Sequence, residues 1–459
     1  MSKSSDLTMK AETPRRTFLK NALGATAVAA ASLKSASATS DLATRTSGTK
    51  PLDHVNPARL PNIVYIHSHD SGRYVEPYGV AIPTPNISQL AAEGVFFRNC
   101  FSAAPTCSPS RAALLTGMAP HNNGMLGLAH LGWSLHDYNQ VIIHTLKPHG
   151  YTSILAGLQH IATKPERIGY DVLLPHKSNF AKDVAPVAAD YIQGKPQQPF
   201  FLDVGFHETH RPYPSSTAAD KASFLAVPDA TPDNAATRED MAAFHASARS
   251  MDEGVGKVLA ALEKAGLAEN TLILNTTDHG IAFPDMKCSL RDDGWGVSMT
   301  MRGPGAFSQP MTCDAMISHL DVFPTICEYL GIEKPSWLQG RSFLPVLTGK
   351  SEEINDQIFA EVTYHASYEP KRTVRTHRWK YIKRFDGRTK AVLPNCDDSP
   401  SKEQLLKAGW QQMNSVKEEY LYDLVFDPEE KNNLSVDSSC RQTLVEMRER
   451  LATWMKSTD

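Results

Sequence analysis

The chain has no Cys-x-x-Cys pair, and its seven cysteines, Cys100, Cys107, Cys288, Cys313, Cys327, Cys396 and Cys440, are scattered. That argues against a zinc ribbon or a thioredoxin-type redox site, and an odd count leaves at least one thiol unpaired. Charge of one sign is also lacking: 47 Lys and Arg face 50 Asp and Glu, a formal net charge of -3. Nothing global therefore points to nucleic acid or to an anionic membrane surface. The apolar run Ala22 to Leu33 is shorter than the roughly 20 residues that span a bilayer, so no stable membrane insertion is expected. No internal repeat or low-complexity stretch stands out beyond the N-terminal leader.

What is present is ordinary globular material. The 459 residues, 41% hydrophobic and 21% charged, suffice for one large domain and a smaller one. The first residues read as a targeting segment. Thr13-Pro14-Arg15-Arg16-Thr17-Phe18-Leu19-Lys20 is a twin-arginine pattern, the apolar run follows, and Ala36-Ser37-Ala38 is an A-x-A cleavage site. Residues 1–38 are thus a signal peptide, the expected address is periplasmic or secreted, and the twin-arginine export machinery is a partner. That route carries folded proteins, which suggests folding or modification before export. Residues 39–60, rich in Ser, Thr and Pro, read as a linker.

From Pro61 onward, buried strand patterns alternate with helical ones. Ile63–Ile66, Thr152–Ala156, Phe200–Val204 and Thr271–Thr276 read as strands. Asn86–Glu93, Ser108–Gly117 and Arg238–Lys264 read as helices, with Pro109 suited to a first turn and Gly266 to a stop. The alternation predicts an α/β core: a mainly parallel central sheet sandwiched by helices, over residues 61–350. After about residue 350 the texture changes. Ile358–Val362, Thr373–Arg375, Trp379–Ile382 and Tyr420–Leu424 read as short antiparallel strands, and Gln442–Met455 as a terminal helix. They predict a smaller α+β subdomain over 351–459. Its basic stretch, Lys371–Arg375 and Arg378–Arg384, reads as a solvated face or, alternatively, as a surface that steers a polyanion.

Each of four predicted strands runs into polar residues: His67-Ser68-His69-Asp70, Gly157-Leu158-Gln159-His160, His207-Glu208-Thr209-His210 and Asp278-His279-Gly280. Ligands of an open α/β sheet bind outside the carboxyl ends of its strands. Any one of these polar groups could be a satisfied structural residue, but carboxylates and imidazoles meeting at one edge suit a metal. Cys107 opens the Ser108–Gly117 helix, where backbone N–H groups and the dipole favour an anion. A buried, inert thiol is the alternative. His121, beside that helix, reads as structural, His130 and His136 as solvated loop residues, and His207 and Glu208 as supports around the site.

At Cys107-Ser108-Pro109-Ser110-Arg111, extended as Ala112-x-Leu114-Leu115-Thr116-Gly117, the chain resembles the sulfatase family of the alkaline phosphatase-like superfamily. Further matches are Asp278-His279-Gly280, Met301-Arg302-Gly303-Pro304-Gly305, Gly340-Arg341-Ser342-Phe343-Leu344-Pro345 and Leu421-Tyr422-Asp423-Leu424. Phe206-His207-Glu208-x-His210-Arg211 and Glu361-Val362-Thr363 are most similar to the heparan N-sulfatase (sulfamidase) branch. The resemblance implies oxidation of Cys107 to formylglycine by a formylglycine-generating enzyme. The hydrated aldehyde would attack sulfur, release the alcohol or amine of a sulfated saccharide's ester or sulfamate, and then expel sulfate. It also implies one divalent cation held by His69, Asp70, residue 107, Asp278 and His279, with Arg111 holding the formylglycine. Lys287 would bind sulfate, and His160 and His210 would contact sulfate and protonate the leaving group.

Two departures stand out. His69-Asp70 replaces a pair of acidic residues, which shifts the expected ion from the family's calcium toward manganese or zinc. Leu158 occupies the place of a sulfate-contacting lysine, and Lys164 is a candidate substitute. The competing readings are a phosphate or phosphonate ester hydrolase of the same superfamily, and a non-catalytic protein that binds sulfated glycans.

Overall fold

The computed structural model describes residues 60–459 except Ala219 and Asn414. The expected signal peptide, and the linker up to residue 59, lie outside the described residues. Fourteen strands are present among the described residues. The first ten are β1 (Asn62–Ser68), β2 (Val95–Phe97), β3 (Cys100–Phe101), β4 (Thr152–Gly157), β5 (Val172–Leu174), β6 (Phe200–Gly205), β7 (Thr271–Thr277), β8 (Met299–Arg302), β9 (Met311–Cys313) and β10 (Ile317–Ser318). β1 is buried at every position, as a strand covered on both faces must be.

The main sheet has eight strands in the order β5-β4-β6-β1-β7-β8-β2-β9. β1 pairs in parallel with β6 and β7, and β4 in parallel with β5 and β6. Only β8 runs against its neighbours. Alternate residues of β1 enter different cores. Val64 and Ile66 pack with Val184, Ala185, Val255 and Val258 from helices Ala181–Gln193 and Ala235–Ala265. Ile63 and Tyr65 face the core that holds Leu114, Leu115 and Phe323. The expected sandwich is therefore present. Helix Cys107–Thr116 starts one residue earlier than the pattern predicts, so Cys107 is its first residue. The whole helix is buried, and Gly117 closes it with a left-handed φ of 67° that a β-carbon would strain.

The remaining strands, β11 (Ile358–Tyr364), β12 (Tyr368–Arg375), β13 (Trp379–Arg384) and β14 (Glu419–Asp423), form the antiparallel sheet expected near the C-terminus. One face packs on the terminal helix Arg441–Thr458 through Val374, Tyr381, Leu444, Met447 and Leu451. The other packs Ile358, Ala360 and Ile382 against Phe101 and Trp295 of the main domain.

The basic stretch is neither a solvated face nor a steering surface. Lys371 and Arg384 pair with Glu369, Arg375 and Lys380 with Asp292, Arg378 with Asp423, and Lys383 with Glu418. Lys380 is fully buried and also meets Glu430 at 2.8 Å. The pattern of charge along a strand does not reveal the carboxylates that chain folding brings opposite it.

Candidate active site

The four polar clusters converge as the strand pattern predicts. The Asp70 and Asp278 carboxylates, a His69 nitrogen and Cys107 Sγ are all buried, with one ligand atom of each lying within 4.8 Å of the others. His279 Nε2 reaches the same place, 3.2 Å from Cys107 Sγ and 3.2 Å from Asp70 Oδ1. Asp278 Oδ1 accepts the backbone N–H of Asp70 at 2.8 Å. Asp70 and His160 hold left-handed backbone, with φ of 46° and 59°, a conformation that persists in non-glycine residues only when their surroundings impose it.

Electrostatics explain why these acids stay ionised. Burial alone would raise the Asp70 carboxyl, but Lys287, His210 and His279 outweigh it and hold it well below the usual range. Asp278 behaves likewise, with His279, Arg111 and His69 overcoming its burial. Burial pushes the Cys107 thiol well up, and the two carboxylates add to that against Lys287. His69 Nδ1 lies 3.0 Å from Asp278 Oδ2, yet it is a buried nitrogen without a hydrogen bond. A buried nitrogen without a hydrogen bond, aimed at carboxylates, suits a cation ligand. The donor set of carboxylates, imidazoles and residue 107 fits a divalent cation.

Arg111 is locked in place. Its Nε donates to Asp278 Oδ2 at 3.1 Å and its Nη2 to the Ser68 carbonyl at 2.8 Å, while Nη1 meets His67 Nδ1. His67 Nε2 in turn bonds Asp203 Oδ1 at 2.7 Å, and the Tyr170 hydroxyl donates to the other Asp203 oxygen. This chain of support behind Arg111 is missing from the expectations. Its one legible sign is Asp203, an acid in the middle of the otherwise apolar Phe200–Gly205.

Imidazoles line the rest of the site. The His69 ring lies 5.4 Å from that of His160, 6.0 Å from His207 and 5.3 Å from His210. His210 Nδ1 donates to the Arg211 carbonyl at 2.6 Å, which leaves Nε2 facing Lys287 Nζ at 3.4 Å. His160 is kept neutral by burial, helped by His69 and Arg111, and its Nδ1 is buried without a partner. Burial, with His69 and His210, lowers His207 to about 4.

Several expectations need correction. His130 is no bystander: although exposed, its Nδ1 meets His160 Nε2 at 3.1 Å, and the rings stack. Lys164, the candidate substitute for the missing lysine, is exposed, and its side chain has no ion pair or hydrogen bond among the described residues. Lys287, the expected sulfate ligand, donates to Asp70 at 2.8 Å and to Asp397 at 2.9 Å. Glu361 holds His121 at 2.6 Å, in keeping with the structural role expected of His121. Glu208 caps helix Ala181–Gln193 through the Ala181 N–H at 2.8 Å, and His136 is exposed. Asp397 and His365 were not expected at all. Burial, with the Lys287 charge, lowers His365 to about 3, and loop residues of this kind carry no periodic signal.

A parallel sheet whose strand ends gather acids, imidazoles and an anion-favouring helix start defines an enzyme that handles an anionic group. The chain belongs to the sulfatase family, whose model matches residues 61–332, and is thus a hydrolase of sulfate esters or sulfamates. A second model, "N-sulphoglucosamine sulphohydrolase, C-terminal", matches residues 285–406. Human N-sulphoglucosamine sulphohydrolase is 29% identical over 87% of this chain and 91% of its own length. An ulvan-active sulfatase of Formosa agariphila is 28% identical over 86% of this chain and 80% of its own. A solved structure in complex with its substrate D-glucosamine-2-N,6-O-disulfate shares the fold at TM-score 0.66 and 18% identity, covering 87% of this chain and 98% of that one.

Proposed function

We propose that the protein is an exported, periplasmic or secreted, formylglycine-dependent sulfatase that removes sulfate from a sulfated amino sugar, with N-sulfoglucosamine the leading substrate. The observation that carries this reading is Cys107 at the start of its helix, inside Cys-x-Pro-x-Arg and within reach of both carboxylates and His279. The likeness of residues 285–406 to the sulphoglucosamine sulphohydrolase C-terminal segment supports the substrate, since that segment brings Lys287, His365 and Asp397 to the site.

In this reading a formylglycine-generating enzyme converts Cys107 to the aldehyde, which hydrates. The hydrated aldehyde, when present, would supply one oxygen that bonds to sulfur, its proton passing to water, as the bond from sulfur to the sugar oxygen or nitrogen breaks, and a second hydroxyl whose deprotonation by water would expel sulfate and restore the aldehyde. The leaving atom takes a proton from His210, which first receives one at Nε2 beside Lys287, while His160, kept neutral by burial, contacts the sulfate. Arg111, braced by His67 and Asp203, keeps residue 107 and Asp278 aligned. Lys287 offsets the sulfate charge. His69, Asp70, residue 107, Asp278 and His279 would hold a divalent cation, which supplies Lewis-acid polarisation of the sulfate oxygens.

Free sulfate released from N-sulfoglucosamine, 6-O-sulfated N-acetylglucosamine, ulvan fragments and an aryl sulfate tests the assignment. Release from N-sulfoglucosamine at the highest kcat/KM is expected. Cleavage of the aryl ester alone would defeat the amino-sugar reading and leave the sulfatase assignment standing.

A further inference from the structure

Lys287 Nζ has three donors, and three acceptors surround it: Asp70 Oδ2 at 2.8 Å, Asp397 Oδ2 at 2.9 Å and His210 Nε2 at 3.4 Å. Oxygens of the two acids and a nitrogen of His210 lie within 4.8 Å of one another, so the ammonium occupies a nest shaped like an ion site. Asp70 is shared: its other oxygen turns to His279 and Cys107. Asp397 is clamped from both sides. Lys402 Nζ donates to the Cys396 carbonyl at 2.7 Å and to Asp398 at 2.7 Å. Ser401 donates to Asp240 at 2.6 Å, and Asp240 in turn grips Arg211, the neighbour of His210, at 2.7 and 2.8 Å.

We propose that Asp397 is a positioning residue: it holds the Lys287 ammonium as a fixed second cation beside the divalent ion at Asp70. The inference rests on the metal site proposed above. Once a divalent ion shares Asp70, that carboxylate can no longer neutralise Lys287 by itself, and two cations in a buried site repel. Asp397 supplies the missing negative charge on the side away from the metal. It thereby keeps Lys287 aimed at the position of the sulfate, in a site that has Leu158 where a lysine would otherwise assist.

A double-mutant cycle read by calorimetric titration of the metal-free protein with manganese tests this, with no need for turnover or for formylglycine. Asp397→Asn is expected to weaken manganese binding about tenfold, because Lys287 then competes for Asp70 unopposed. Lys287→Met is expected to tighten it, and Asp397→Asn in that background to change it less than about threefold. Asp397→Ser serves the same cycle should the Asn variant not fold. An equal loss in both backgrounds, or no loss in either, would overturn the positioning role. If the wild-type protein bound no divalent ion, the metal site itself would fail instead.

Discussion

Lys380, in the C-terminal sheet, and Asp70, at the carboxyl edge of the main sheet, are both fully buried charged residues. Their surroundings differ. Lys380 meets Asp292 and Glu430, Asp292 also meets Arg375, and Lys371 and Arg384 share Glu369 nearby. In that region ionic partners are already present and serve to join the sheet to the main domain. Around Asp70, two carboxylates, several imidazoles and the Cys107 thiol face one shared space; buried atoms without a hydrogen bond occur in both regions, His69 Nδ1 and His160 Nδ1 here, Arg384 Nε and Glu430 Oε1 there. Buried charge that the chain itself neutralises is structure, whereas buried polar groups left open to a shared space mark where a ligand completes the balance.

The largest expected effect breaks the site and spares the frame. Cys107→Ala should lower kcat/KM by about 10⁴-fold or more, since nucleophile and metal ligand vanish together, while thermal unfolding of the metal-free protein stays close to wild type. Turnover within tenfold of wild type would refute the role of residue 107. The converse substitution is Lys380→Ala. It leaves Asp292 and Glu430 without their shared buried cation and should cost about 3–5 kcal/mol in denaturant unfolding. A loss under about 1 kcal/mol would mean that the C-terminal sheet does not depend on this pair.

Chelation sharpens the contrast. Removing divalent ions should abolish sulfate release, and Asp278→Asn should weaken metal binding by about 100-fold or more, the upper end of what even outer-shell changes cost. Neither should disturb the Lys380 network. Full activity of chelated protein would remove the metal from the mechanism. Manganese or zinc should restore activity at least as well as calcium, and a strict calcium requirement would count against ligation by His69.

The smallest effect concerns a buried histidine outside the catalytic set. His319 is lowered to about 3 by burial. Its folded value lies below the unfolded one, so the unfolded chain binds the extra proton first. The neutral form's stability is therefore complete above pH 6.5 and is lost as pH falls toward the folded value. One unit below 6.5 the cost is about 1.4 kcal/mol, and His319→Gln should flatten the acid limb of a Tm-against-pH curve by that amount. An unchanged acid limb would show that other groups govern it.

Much of the frame is legible without coordinates. Ile63–Ile66, Phe200–Val204 and Thr271–Thr276 announce themselves because strands covered on both faces must be apolar throughout. β5 and β9 do not, being short strands toward the sheet's ends whose residues are partly exposed. The site divides the same way. Cys107, Arg111, Asp70 and Asp278 sit in local motifs or at strand ends, and the rule that ligands gather at carboxyl edges suffices to bring them together.

By itself, then, the amino-acid sequence determined the sheet, the helix that begins at Cys107, and the set of acids and imidazoles at one edge, because these follow from period and from local spacing. Tertiary structure alone decided who partners whom. It set the basic stretch of β12 and β13 in ion pairs, several of them buried, paired Glu361 with His121, set His130 against His160, and brought Asp397 to Lys287 across 110 residues of chain. Pairings of that kind depend on long-range packing geometry, and no property of either residue or its neighbours encodes the distance between them.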